Sequence, residues 1–262
     1  GALSDLLNVT TPGVISATSV VLAKGDSKTV TLKGAKVKSY KSSNQAVAKV
    51  NSKGLIKAAG KGKTYVTVKD INGLTYKVKI KVETPDISSK KTVSEGSKTT
   101  LKLNGNTQKV KWSTSDKSIA SVNSKGVVTA KKVGTVKITA KVSSGAKFTC
   151  TVKINHVVVT NAAKAATCTE TGLTEGKVCS VCGKVFAEQK VTEALGHNYG
   201  VVDGSAVEAT CTVAGKKADM KCTRCGDVIT GGTIAAHGHT EEIIPAVAAT
   251  CTEKGLTEGK KC

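Results

Sequence analysis

Eight of the nine cysteines lie beyond residue 160, and they recur in a fixed frame. "ATCTETGLTEGKVC" begins at Ala166, and "ATCTEKGLTEGKKC" begins at Ala249. Aligning on "ATC" gives three copies. The first holds Cys168, Cys179 and Cys182, followed by "GH" at His197. The second holds Cys211, Cys222 and Cys225, followed by "GH" at His239. The third holds Cys251 and Cys262. Ten residues separate the first two cysteines in every copy, and each complete copy continues into C-x-x-C-G. A glycine also recurs four residues after each first cysteine, at Gly172, Gly215 and Gly255.

Zinc takes four soft or borderline ligands in a tetrahedron, and C-x-x-C-G is a turn that aims two thiolates at one point. The glycine tolerates positive φ there. Each complete copy offers three cysteines and one histidine, so zinc sets of Cys168, Cys179, Cys182 and His197, and of Cys211, Cys222, Cys225 and His239, are expected. An odd number of thiols per copy cannot close on itself as disulfides. Disulfides between copies are the competing chemistry, because exported thiols tend to oxidise; free thiols or another metal complete the alternatives. Spacing cannot fix cysteine pairing. His237 stands two residues from His239 as a second candidate ligand, whereas His156, which is unrepeated, reads as a boundary residue. Gly183 and Gly226 stand where haem attachment would need histidine.

These short copies are poor in apolar residues, and below about 40 residues a module usually needs a metal or disulfides to fold. "GLTEGKVC" and "GKVFAEQKVTE" are expected to form a hairpin with the C-x-x-C turn between its arms.

The region before the tail is different. Residues 1–155 hold 29 lysines against seven acids, a net of +22, while residues 156–262 come to −1. "VNSKG" at residues 50–54 returns at 122–126, an offset of 72 that also pairs Tyr40 with Trp112, Gly62 with Gly134 and Tyr76 with Phe148. One unit is used twice. Its sequence alternates: Tyr76, Val78, Ile80 and Val82 point one way, and Lys77, Lys79 and Lys81 the other. Val136, Ile138, Ala140, Phe148, Cys150, Val152 and Ile154 form the matching inward set. Period-two alternation around Gly, Asn and Ser turns predicts half-buried antiparallel strands, and several in about 70 residues predict a small β-sandwich. Cys150 takes the inward place of Val78 and reads as core. The lysines read mainly as outward residues that protect sheet edges; contact with an anionic polymer is the sharper reading.

"WSTSDKSIASVNSKGVVTAKKVGTVKITAKV" resembles the group 2 bacterial immunoglobulin-like domain. The resemblance is close over residues 112–142 and looser over 40–69. It implies a seven-stranded sandwich found in tandem on bacterial surface proteins, serving as spacer or adhesive module, with no catalytic residues. The tail is similar to cysteine-containing repeats of large surface proteins of Gram-positive gut bacteria, a likeness that transfers no function.

The expected architecture is all-β: two tandem Ig-like β-sandwiches followed by small Cys-rich β-hairpin repeats. Its parts are a linker at 1–13, sandwiches at 14–84 and 85–157, repeats at 158–200 and 201–240, and a partial repeat at 241–262. The chain reads as a segment of something longer or as a trimmed product, since it has no initiator Met or signal pattern and stops part-way through a repeat. No apolar run is long enough to span a membrane. No Ser/His/Asp order, carboxylate pair or phosphate loop stands out. The expected function is a non-enzymatic stalk or adhesion module at the bacterial cell surface or outside the cell. An accessory region of a secreted glycan-active enzyme is the alternative. Partners would be an anionic cell-wall polymer, a host glycan or a host surface protein. Nucleic acid is disfavoured, because Arg224 is the sole arginine and aromatics make up 3% of the chain.

Overall fold

The computed structural model describes residues 11–262. The linker expected at 1–13 therefore falls largely outside the described residues. Every regular element among them is a β-strand. The chain divides into two units: Gly1–Val158 with Cys179–Gly183, and Val159–Val178 with Lys184–Cys262.

In the first unit, β1 (Val14–Ile15), β2 (Ser19–Ala23), β3 (Ser27–Thr29), β4 (Leu32–Lys33), β5 (Val37–Ser42), β6 (Ala48–Val50), β7 (Leu55–Ala58), β8 (Gly62–Asp70) and β9 (Thr75–Glu83) build one sandwich. A four-stranded sheet ordered β2-β9-β8-β5 faces a three-stranded sheet ordered β3-β7-β6. The second sandwich repeats the plan with β10 (Lys90–Ser94), β11 (Lys98–Thr100), β12 (Val110–Thr114), β13 (Ala120–Val122), β14 (Val127–Ala130), β15 (Gly134–Val142) and β16 (Lys147–Asn155). Its sheets run β10-β16-β15-β12 and β11-β14-β13. The alternating residues expected to face inward do so. Val66, Val68 and Val78 are fully buried in the first core, and Ile138, Cys150 and Val152 in the second. Burial pushes the Cys150 thiol up, with Lys91 opposing weakly.

One expectation is corrected. The sheets are not wholly antiparallel, because β2 runs parallel to β9 and β10 parallel to β16. A parallel pair needs a long crossover, and the rest of each sandwich supplies it.

The repeated "VNSKG" has a steric cause. Asn51 Oδ1 accepts the amides of Lys53 and Leu55, and Asn123 Oδ1 those of Lys125 and Val127. The closing glycines, Gly54 and Gly126, sit at φ 77° and 78°. A Cβ at either position would press on a backbone carbonyl, that of Val30 or Leu101, and on the ring of Tyr40 or Trp112. The two sandwiches are tied at Glu83, which is buried. Burial works against its charge, but Lys81 at 2.7 Å and the amide of Thr107 at 3.0 Å outweigh this and hold the carboxyl below its usual range.

The tail is built from short strands: β17 (Val158–Asn161), β18 (Gly172–Leu173), β19 (Gly176–Cys179), β20 (Val185–Ala187), β21 (Val191–Thr192), β22 (Tyr199–Val201), β23 (Gly215–Lys216), β24 (Met220–Cys222), β25 (Val228–Ile229), β26 (Thr233–Ile234), β27 (Glu242–Ile244) and β28 (Gly259–Lys261). The expected hairpin is present, with β19 paired to β20 across the C-x-x-C turn and β18 paired to β21 behind it. The second copy does the same with β24–β25 and β23–β26. The recurring Gly172, Gly215 and Gly255 are required because a Cβ would lie about 2.5 Å from the backbone of the segment preceding each "ATC".

Candidate metal centres

The "ATCT" phrase is a turn that places its cysteine. Thr167 donates its amide to the Glu170 carbonyl and accepts the Glu170 amide on its hydroxyl; Thr210 with Val213, and Thr250 with Glu253, repeat the pattern. The "GH" loop then folds back onto this turn. The amide of Gly196 donates to the Cys168 carbonyl at 3.1 Å, and that of Gly238 to the Cys211 carbonyl at 3.0 Å. Both glycines have positive φ, 67° and 72°. His197 is thereby brought beside Cys168, and His239 beside Cys211, within one copy.

The C-x-x-C knuckle goes elsewhere. Each knuckle closes through its glycine, with Gly183 donating to Cys179 and Gly226 to Cys222. The second knuckle then meets the first copy's Cys168 and His197. Cys222 Sγ is 3.8 Å from Cys168 Sγ, and Cys225 Sγ is 3.3 Å from His197 Nδ1. Three donor sets result: Cys168, His197, Cys222 and Cys225; Glu95, His156, Cys179 and Cys182; and Cys211, His239 and Cys262. Within each set the donor atoms lie within 4.8 Å of one another. The structure does not gather the donors copy by copy: it brings neither Cys179 and Cys182 to Cys168 and His197, nor Cys222 and Cys225 to Cys211 and His239. Each knuckle takes its partners from the element before it. His239, rather than His237, stands in the third set, and Cys251 is exposed and belongs to none.

Neighbouring contacts fix the shared set. Thr223 donates its amide to the Asn198 carbonyl at 2.9 Å. Arg224 reaches the carbonyls of Leu195 at 2.5 Å and Gly196 at 3.1 Å, just before His197. Tyr199 stacks on His197 at 5.2 Å and donates its hydroxyl to Asp227 at 2.6 Å.

The electrostatics suit a cation. Burial disfavours a charged sulfur at Cys222, but the amides of Cys225, Arg224 and Asn198, together with His197, outweigh it and bring the thiol down to about 5. At Cys179 the amides of Cys182 and Val181, with His156, likewise overcome burial and bring it to about 7. Cys168 is pushed up to about 11 by burial and by the Cys225 and Cys222 sulfurs. One sulfur of the shared set is therefore primed as thiolate while another is held back by burial and by its neighbouring sulfurs, a conflict that a bound cation relieves.

Glu95 and His156 were missed by sequence reasoning. A signal for His156 exists: a histidine stands 12 to 14 residues before every "ATC" cysteine, at His156, His197 and His239. Glu95, distant in sequence, has no such signal.

The basic sandwiches carry a second feature. Lys111, Lys141 and Lys147 are exposed and directly opposite one another across β12, β15 and β16. Like charges directly opposite destabilise a sheet. Lys141→Glu is expected to stabilise the second sandwich by about 1 kcal/mol, read by urea unfolding followed through Trp112 fluorescence; unchanged or lower stability would contradict the cross-strand repulsion.

The family model of the bacterial Ig-like domain (group 2) matches residues 78–152, which takes in the closely resembling stretch and leaves out the looser one. The C-terminal 282-residue fragment of intimin, solved with the intimin-binding domain of the translocated intimin receptor, is 20% identical, covering 60% of this chain and 68% of that one at a TM-score of 0.36. Invasin, a bacterial integrin-binding protein, is 14% identical, covering 85% of this chain and 57% of its own at a TM-score of 0.38. A tri-modular GH5 endo-β-1,4-glucanase from Bacillus licheniformis is 13% identical, covering 55% and 38% at 0.29. No curated protein matches the chain. Among the described residues the chain is all-β, and its residues 78–152 match the family model of the bacterial Ig-like domain (group 2).

Proposed function

We propose that this chain is a non-enzymatic stalk or adhesion segment of a bacterial cell-surface or secreted protein, and that zinc links its tail copies to one another. The observation that carries the reading is the set of Cys168 and His197 from one copy with Cys222 and Cys225 from the next. Zinc–sulfur bonds of about 2.3 Å in a tetrahedron put sulfurs about 3.8 Å apart, and a sulfur and an imidazole nitrogen about 3.5 Å apart. The separations of 3.8 Å and 3.3 Å follow that pattern, whereas a disulfide brings sulfurs to about 2.0 Å. Cys211, His239 and Cys262 offer three donors of the same kind, with the two sulfurs 3.4 Å apart. Copies tied in this way are held to one another rather than strung as loose beads. The sandwiches fit a spacer, and their lysine rows fit an anionic cell-wall polymer or acidic host glycan better than a neutral surface.

The test is elemental analysis of the reduced, purified chain combined with a binding screen against teichoic-type polymers, glycans and host surface proteins. Zinc in the protein, together with salt-sensitive retention on a polyanion, is the expected result. Metal-free protein with oxidised cysteines would replace zinc by disulfides.

A further inference from the structure

The second sandwich ends in two side chains that its twin lacks. In the first sandwich the amide of Lys24 donates to the carbonyl of Glu83, the last residue of β9, at 2.8 Å. In the second, the amide of Glu95 donates to the carbonyl of Asn155, the last residue of β16, also at 2.8 Å. Glu95 thus stands where Lys24 stands, and His156 where Thr84 stands. Lys24 and Thr84 are exposed, but Glu95 is only 6% exposed. A buried carboxylate requires partners, and those of Glu95 are His156 Nδ1 at 3.4 Å and Cys179 Sγ at 3.7 Å.

The arrangement reproduces the set shared by the two tail copies. Ser180 donates its amide to the Val157 carbonyl at 2.9 Å, just as Thr223 does to Asn198. Cys182 Sγ meets His156 Nδ1 at 3.4 Å, as Cys225 meets His197 at 3.3 Å. Glu95 faces the first knuckle sulfur at 3.7 Å, where Cys168 faces its own at 3.8 Å. Position for position, Glu95 replaces a cysteine and His156 replaces the loop histidine. The knuckle Cys179–Gly183 accordingly belongs to the sandwich unit.

We propose that Glu95, His156, Cys179 and Cys182 form a zinc site, with two thiolates, one imidazole and one carboxylate as ligands. Through it, the second sandwich supplies the two donors that a preceding copy supplies further along. Only the choice of ion rests on the zinc reading of the tail. A carboxylate is an ordinary zinc ligand at about 2.0–2.2 Å, and exchanging thiolate for carboxylate keeps the ligand charge the same.

The experiment uses the full reduced chain loaded with zinc, and in parallel with cobalt, whose visible spectrum reports the number of thiolates. His156→Ala and Glu95→Gln are each expected to lower metal content by one ion per chain, while Glu95→Cys keeps the ion and strengthens the thiolate bands. Cys222→Ser serves as the reference, since it removes a different ion. Trp112 fluorescence on urea unfolding shows that the second sandwich stays folded in every variant compared. Undiminished metal in both His156→Ala and Glu95→Gln, with loss in Cys222→Ser, overturns this site and leaves the tail reading standing. The reverse pattern overturns the tail reading and supports this site. No metal in any form overturns both.

Discussion

Cys222→Ser is expected to unfold the first and second tail copies together. Cys222 contributes to a set whose other donors are Cys168 and His197 of the first copy and Cys225 of its own. Removing one thiolate from a four-donor zinc set leaves the rest without a common centre, and structural zinc in small peptides carries an apparent binding free energy of about 10–16 kcal/mol. Nothing nearby compensates, since the apolar side chains around the set are exposed: Leu195 at 56% and Val201 at 65%. Hydrogen-exchange mass spectrometry is expected to show lost protection in residues 166–178 and 184–197 as well as 209–239, while the knuckle at Cys179–Gly183, which belongs to a different set, keeps its protection. Cys179→Ser, by contrast, is expected to spare the Cys168–Cys222 set. Were the donors grouped copy by copy, the outcomes would be exchanged: Cys222→Ser would spare the first copy and Cys179→Ser would unfold it. Protection of residues 166–178 and 184–197 in Cys222→Ser would therefore refute the shared arrangement.

How far the sequence could lead depended on the distance over which each feature is decided. Strand alternation is local, so the inward set from Val136 to Ile154, including Cys150, was legible. So were the hairpin arms on either side of Cys179 and Cys182. Parallel pairing of β10 with β16 was hidden, because it joins the two ends of a sandwich and leaves no mark in local periodicity. Ligand grouping was hidden for a related reason. Cys168, Cys179 and Cys182 are close in the chain, but the hairpin of β19 and β20 carries the knuckle away from the "ATC" turn, while the Gly196 loop returns to it. The histidine spacing before each "ATC" holds the clue, since it makes His156 a member of the series instead of a boundary residue. Glu95 was beyond reach, because the fold brings it to His156 and Cys179 across a long stretch of chain and no repeat or spacing marks it.

Stripping the metal is expected to split the chain's stability into two parts. The sandwiches have their own cores: Leu22, Ile56 and Ile80 in one, and Ile138, Val152 and Ile154 in the other. Each such side chain contributes about 1.5–3 kcal/mol on burial. Beyond residue 158 the buried side chains of apolar type among the described residues are Cys168, Cys179 and Cys222, so the centre of the tail is sulfur. Its sheets have two or three strands of two to four residues, and sheets this small do not hold without a packed face. A strong chelator under reducing conditions at neutral pH should therefore abolish exchange protection and protease resistance across residues 159–262. The sandwich cores should keep their protection, and readded zinc should restore the tail. Urea unfolding followed through Trp112 should keep its slope, because that slope tracks the surface exposed and the tail exposes little that was buried. A tail still protected after its metal content has fallen to zero would mean that something other than a bound ion holds it, and the claim that each knuckle clamps the element before it through a metal would fail with it.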